Sequence, residues 1–113
     1  MPSSKKQSYA RYTLAALERL GQLIATERRE QRITAQALAE RIGVARTLVH
    51  RLEAGNPKVD LGVAFEACTI LGIPLFEEAN LGSMTMRIEE GRRRLALLPR
   101  YARPRQVELD DDF

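Results

Sequence analysis

The stretch LAERIGVARTLVHRLEAG, Leu38 to Gly55, constrains this chain more than any other segment. Apolar residues recur at three- and four-residue steps on both sides of Ile42-Gly43-Val44, so two short helices meet across a turn. Gly43 suits that turn because it tolerates a left-handed backbone, and small Ala39 lets the two helices approach closely. On a wheel of the second helix, Ala45, Val49 and Leu52 share one side with Leu48 flanking. Arg46, Thr47, His50, Arg51 and Ala54 spread over the other. A helix held by one face and presenting two arginines, a hydroxyl and an imidazole on the other fits a DNA major groove. There an arginine donates two hydrogen bonds to guanine, while hydroxyls and helix N-termini meet phosphates. An ordinary solvated helix face has the same composition, and it is the helix, turn and helix around it that favour the DNA reading.

The flanks extend an all-α pattern. The sequence predicts a first helix from about Tyr9 or Arg11 to near Gln31, burying Leu17, Leu20, Ile24 and Arg28 and solvating Arg19, Glu27, Arg29 and Glu30. Thr34 is the expected N-cap of a second helix, AQALAERI, with Leu38 and Ile42 inward. ARTLVHRLEA is the third helix, closed by Gly55, and Asp60 is the expected cap of a fourth that runs to about Leu71. Gly72 and Pro74 then separate off a short fifth helix near residues 75–80, and MTMRIEEGRRRLALL is a sixth. Residues 1–10 are expected to form a disordered arm, 11–81 the DNA-binding domain, 82–98 an additional helix and 99–113 a flexible charged tail.

Charge is unevenly placed. Residues 1–58 carry eleven Lys/Arg against five Asp/Glu, and residues 59–113 carry seven against ten, so the first half is the one suited to an anion. The N-terminus MPSSKKQSYARY has no apolar core for a signal sequence and no run approaches membrane-spanning length, so a cytoplasmic protein with no membrane partner is expected. With one cysteine, Cys68, and one histidine, His50, there is no His/Cys cluster for zinc and no cofactor is expected. Cys68 reads as a small buried hydrophobe. Asp110, Asp111 and Asp112 sit in the tail, where nothing rigid could hold a paired-carboxylate or metal site, so an enzyme is not expected. Arg92, Arg93 and Arg94 read as the solvated side of a helix or as phosphate contacts.

Leu38-Ala39, Gly43, Ala45, Val49 and Leu52-Glu53-Ala54-Gly55 together resemble the helix-turn-helix domain of the Xre family, the Cro/cI-like (lambda repressor-like) bacterial and phage repressors. The likeness spans roughly Leu20 to Phe76 and implies an all-α fold of five to six helices. It also implies a structural clasp between Arg28 on the first helix and Glu53 before the closing glycine. Two positions depart from the family's habit. Ala35 stands where a Gln often follows the N-cap, with Gln36 next, and Ala45 replaces the Ser or Thr that often opens the recognition helix. The candidate DNA-contacting set is Arg46, Thr47, His50 and Arg51, joined by Gln36, Thr34 and Lys58.

RYTLAALERLGQLI, GNPKVDLGVAFEACTILGIPLFE and RLALLPRYARPRQVELDDDF further resemble HipB-like antitoxins, which are encoded beside HipA-like serine/threonine kinase toxins. That finer likeness implies a dimeric repressor of its own operon that also holds a kinase inactive; a stand-alone regulator without a toxin is the alternative. A two-fold dimer is expected because one such domain reads few base pairs, with Leu75, Phe76, Met84, Met86 and Ile88 as candidate contacts. The tail from Glu108 to Phe113 is expected either to engage a basic surface, on the kinase or on the DNA-binding face itself, or to serve only as a solubilising end.

Overall fold

A long helix lies against two short ones, and the reason is visible in how each helix ends. The structure, a computed structural model, describes residues 8–100. It contains α1 (Arg11–Glu30), α2 (Ala35–Ile42), α3 (Arg46–Glu53), α4 (Leu61–Leu71) and α5 (Leu81–Leu97), with no strand among the described residues. Among the described residues the architecture is all-α. The chain divides into two compact units between Ile73 and Pro74, α1 to α4 forming the first and α5 lying in the second.

Within the first unit the core is small and aliphatic. Ile24, Leu38, Ala39, Val49, Leu52, Ala64, Ala67, Cys68 and Leu71 are buried, contributed by all four helices. Each fully buried Leu, Ile or Val contributes about 1.5–3 kcal/mol, and α2 and α3, at eight residues each, are too short to persist without this packing. Burial pushes the Cys68 thiol up from its ordinary range, since the core disfavours a thiolate. The folded chain therefore keeps this proton where an unfolded chain would release it. The stability this carries is fully present below the ordinary thiol range and is lost as pH rises above it.

Backbone hydrogen bonds at the helix ends define the turns. The Thr34 hydroxyl accepts from the Ala37 N–H at 3.0 Å and so caps α2. Gly43, at φ 90°, closes α2 with its N–H and that of Val44 both donating to the Ala39 carbonyl, at 2.8 and 2.9 Å. α1 ends differently: Arg32 takes φ 60°, and the Ile33 N–H returns to the Arg28 carbonyl at 3.0 Å. Gln31 reaches across to α4, its side-chain amide donating to the Leu71 carbonyl at 2.7 Å, which satisfies an acceptor left over at that helix end.

The closest approach is between α1 and the C-terminal end of α3. A methyl group placed on buried Gly21 would collide with the Glu53 carbonyl and lie 2.8 Å from the Leu52 carbonyl oxygen. Gly55, at φ 79°, lies against the other side of the same contact, its added Cβ 2.9 Å from the Glu18 Cα. Backbone thus packs on backbone over one turn of α1.

Three sequence expectations are corrected. Residues 75–80 form a turn in place of a short fifth helix: Phe76 and Glu77 take φ 54° and 61°, and the Glu78 N–H donates to the Leu75 carbonyl at 2.9 Å. Two consecutive left-handed residues cannot belong to a right-handed helix. The sixth predicted helix is therefore α5, and it starts at Leu81, before Met84, because the Asn80 side chain caps it by accepting from the Ser83 N–H at 2.9 Å. Asp60 is the N-cap residue of α4, as expected, with its carbonyl accepting from the Ala64 N–H at 3.2 Å, but its side chain makes no cap bond. Ala45, assigned to the inward side of α3, is exposed: it is the N-cap, with φ −73° and ψ 150°, and so falls off the helical wheel. The tail from residue 101 onward and the first seven residues of the arm lie outside the described residues.

The Gly21 contact generates a direct test. Gly21→Ala should destabilise the first unit by several kcal/mol, despite alanine's better helix propensity of about 1 kcal/mol, because the obstructing atoms are backbone. Urea unfolding followed by circular dichroism measures it; a neutral or stabilising change would mean that the α1–α3 contact is looser than described.

Candidate nucleic-acid interface

α3 is anchored through Val49, fully buried, and Leu52, 5% exposed, while Leu48 is half-buried. That leaves Arg46, Thr47, His50 and Arg51 exposed on the remaining surface. None of these four side chains takes part in a hydrogen bond or ion pair within the described residues. Apart from Glu53, the polar side chains of this short helix are uncommitted, while Val49 and Leu52 are buried. At its N-terminus Ala45 supplies no side-chain cap, so the first N–H groups of α3 face outward without a side-chain acceptor.

Glu53 is the only acid in α3, and it is turned away from this surface. Arg28 Nε donates to Glu53 Oε2 at 2.6 Å and Arg28 Nη2 to Glu53 Oε1 at 3.0 Å, a two-bond fork between planar groups. Arg28 Nη1 donates to the Ile33 carbonyl at 3.0 Å, so one guanidinium ties α1, the α1–α2 turn and the end of α3 together. Its side chain is 10% exposed and that of Glu53 9% exposed. The hydrogen bond to Glu53 raises the Arg28 pKa further above its ordinary value, outweighing the opposing cost of burial. The electrostatic consequence reaches the outer surface: with Glu53 neutralised inside, Arg46, Arg51 and Lys58 face solvent with no carboxylate from α3 beside them.

The other sequence-selected residues border this surface in different ways. Thr34 is exposed and its hydroxyl is occupied as an acceptor at the α2 cap, which leaves its O–H free to donate outward. Gln36 is exposed on the first turn of α2, its amide donating to Glu40 Oε2 at 3.0 Å, so any contact with an anion must exchange that bond. Lys58 is exposed in the loop after α3, where its own N–H donates to the Asn56 side chain at 2.8 Å and the Asn56 N–H returns to the Arg51 carbonyl at 3.0 Å. The loop that carries Lys58 is therefore tied to the last turn of α3. Sequence reasoning missed Gly21, which sets how closely α3 approaches α1, and Gln31, which ties the end of α1 to α4. A glycine inside a helical pattern was the available signal for the first.

Among the described residues no group of His, Cys, Asp and Glu could hold a metal ion, and no helix is long and apolar enough to cross a membrane. Compared with known families, residues 19–81, more than half of the chain, match a family model described as a helix-turn-helix domain. No curated protein and no solved structure gives a significant match.

The clasp can be tested by its pattern of substitution costs. Arg28→Ala should destabilise the fold by about 3–5 kcal/mol, since it strands a buried carboxylate. Arg28→Met combined with Glu53→Leu should recover most of that loss, leaving chiefly the unpaired Ile33 carbonyl. Equal destabilisation by the single and double changes, read from urea midpoints, would exclude a buried charge as the source.

Proposed function

The chain belongs to the helix-turn-helix domain family, of the Xre/Cro-like kind, and from that we propose that it is a sequence-specific DNA-binding transcriptional repressor that acts as a two-fold dimer in the cytoplasm. The observation that carries this reading is the uncommitted polar face of α3, exposed opposite a buried anchor. Arg46, Thr47 and Arg51 read base edges in the major groove, and His50 adds a base or phosphate contact. Thr34, Gln36 and Lys58 meet phosphates on either side of the groove and fix the register of α3. Two copies related by a two-fold axis then read half-sites about 34–36 Å apart, or a multiple of that spacing, on one face of the DNA.

The finer reading is a HipB-like antitoxin that represses its own operon and neutralises a HipA-like serine/threonine kinase. It is supported by the resemblance of the segments before and after the helix-turn-helix to those antitoxins. Co-expression with the neighbouring reading frame tests it. A stable complex that suppresses kinase activity supports the antitoxin, and a neighbour that is no kinase, or does not bind, leaves the stand-alone repressor.

Arg46→Ala should weaken binding to the specific site by about 1–3 kcal/mol while leaving nonspecific binding nearly unchanged. Lys58→Ala should weaken both alike and shallow the salt dependence by about one unit. Fluorescence anisotropy on specific and scrambled duplexes at several salt concentrations measures both. An equal loss on the two duplexes for Arg46→Ala would reassign that arginine to phosphate.

A further inference from the structure

α5 is a 17-residue helix in which no residue is buried. Leu81, Met84, Ile88, Gly91, Leu95 and Leu98 follow one another at steps of three, four, three, four and three, the spacing of a coiled-coil seam. Leu81, Ile88 and Leu95 are 81%, 51% and 71% exposed, and Leu98, the extended residue that ends the helix, is 54% exposed, so the stripe is open along the length of α5. We propose that this seam pairs α5 with α5 of a second copy, antiparallel, about a two-fold axis between Glu89 and Glu90.

The sequence of the stripe selects both the occupant and the direction. In the antiparallel arrangement Leu81 faces Leu98 of the second copy, Met84 faces Leu95, and each Ile88 fills the space beside the other copy's Gly91. A Cβ added to Gly91 would meet nothing within 4 Å, so that space is open in the free chain. A parallel pair would set Gly91 against Gly91 and leave a void in the middle of the seam, which costs stability. The stripe is thus complementary to itself in one direction only, as a two-fold interface requires.

The charged rim agrees. Arg87 is bound by Glu78 at 3.1 Å and Glu90 at 3.2 Å, a cluster of net negative charge. In the antiparallel pair Arg94 of the second copy lies nearest Arg87, and the two carboxylates already bound to Arg87, Glu78 and Glu90, offset the repulsion between these arginines. Arg92, which bonds Glu89 of its own helix at 2.7 Å, comes within reach of Glu89 of the second copy, so that pair can be exchanged across the interface. Of the five residues selected from the sequence as dimer contacts, Met84 and Ile88 lie on the seam, whereas Met86 lies roughly 170° around the helix from its centre.

The existence of this interface stands apart from the DNA reading, although its two-fold axis serves that reading. Light scattering of the full chain should give a dimer. Ile88→Asp with Leu95→Asp should give a monomer that keeps the helical signal and unfolding transition of the first unit, and Met86→Asp should remain dimeric. In a Cys68→Ser background, Leu81→Cys mixed with Leu98→Cys should form a disulfide-linked heterodimer on mild oxidation, and neither should link to itself. The seam-broken monomer should lose at least about tenfold in affinity for a two-half-site duplex, with single half-site binding unchanged. A monomeric wild type, a dimer that survives both aspartates, or self-linking by Leu81→Cys overturns the proposal. A dimer that passes these tests yet binds no DNA overturns the DNA reading and leaves this one standing.

Discussion

The fork between Arg28 and Glu53 is the interaction on which the rest of the first unit depends. An eight-residue helix has little stability of its own, and α3 has only two fully used apolar anchors, Val49 and Leu52. What holds its far end is a buried ion pair that also satisfies the carbonyl of Ile33, beside a backbone contact that admits no side chain at Gly21. A buried ion pair adds little net stability over a well-packed apolar pair, but a missing partner is costly. The pair therefore acts as a positional constraint: α3 can sit in one place on α1, and any slip strands a charge. The same pair removes the only carboxylate of α3 from the outer surface, so positioning and electrostatics follow from one contact.

Much of this was legible because it is written in local spacing. Gly43, Thr34 and the inward Leu38, Ala39, Val49 and Leu52 occupy positions that helix periodicity and capping chemistry single out without knowledge of the fold. Arg28 and Glu53 lie 25 residues apart, and only resemblance to a family, not periodicity, joins them in sequence. The turn at residues 75–80 was misread because Leu75, Phe76, Glu77 and Glu78 are compatible with a helix one by one. Nothing short of the Asn80 cap and the backbone bond from Glu78 to Leu75 marks the left-handed pair between them. Arg32 hides the same way, since a non-glycine residue gives no warning of a positive φ. Asp60 shows the converse: a residue of the right type stands at the right place and its side chain makes no cap bond.

The candidate interface was legible for a different reason. Arg46, Thr47, His50 and Arg51 were selected by the face they share, and a helical wheel is accurate for residues inside a helix. It failed at Ala45, the first residue outside it, whose extended backbone breaks the angular count. α5 follows a third logic. Its stripe has the period of a helix that packs on another helix, yet none of its residues is buried, and it is this pairing of pattern with exposure that motivates the proposed α5 contact.

The central claim is that α3 is held by its buried face so that its opposite face can enter a DNA groove. Backbone amide shifts recorded while the full chain is titrated with the duplex upstream of its own reading frame test this most directly. The account predicts that perturbations concentrate at residues 45–51, at Thr34 and Gln36, and at Lys58, while Ile24, Arg28 and Glu53 keep their free-state shifts to within the effects of tumbling. Shifts centred on the α1 outer surface or on α5, with α3 unmoved at saturating DNA, would contradict it.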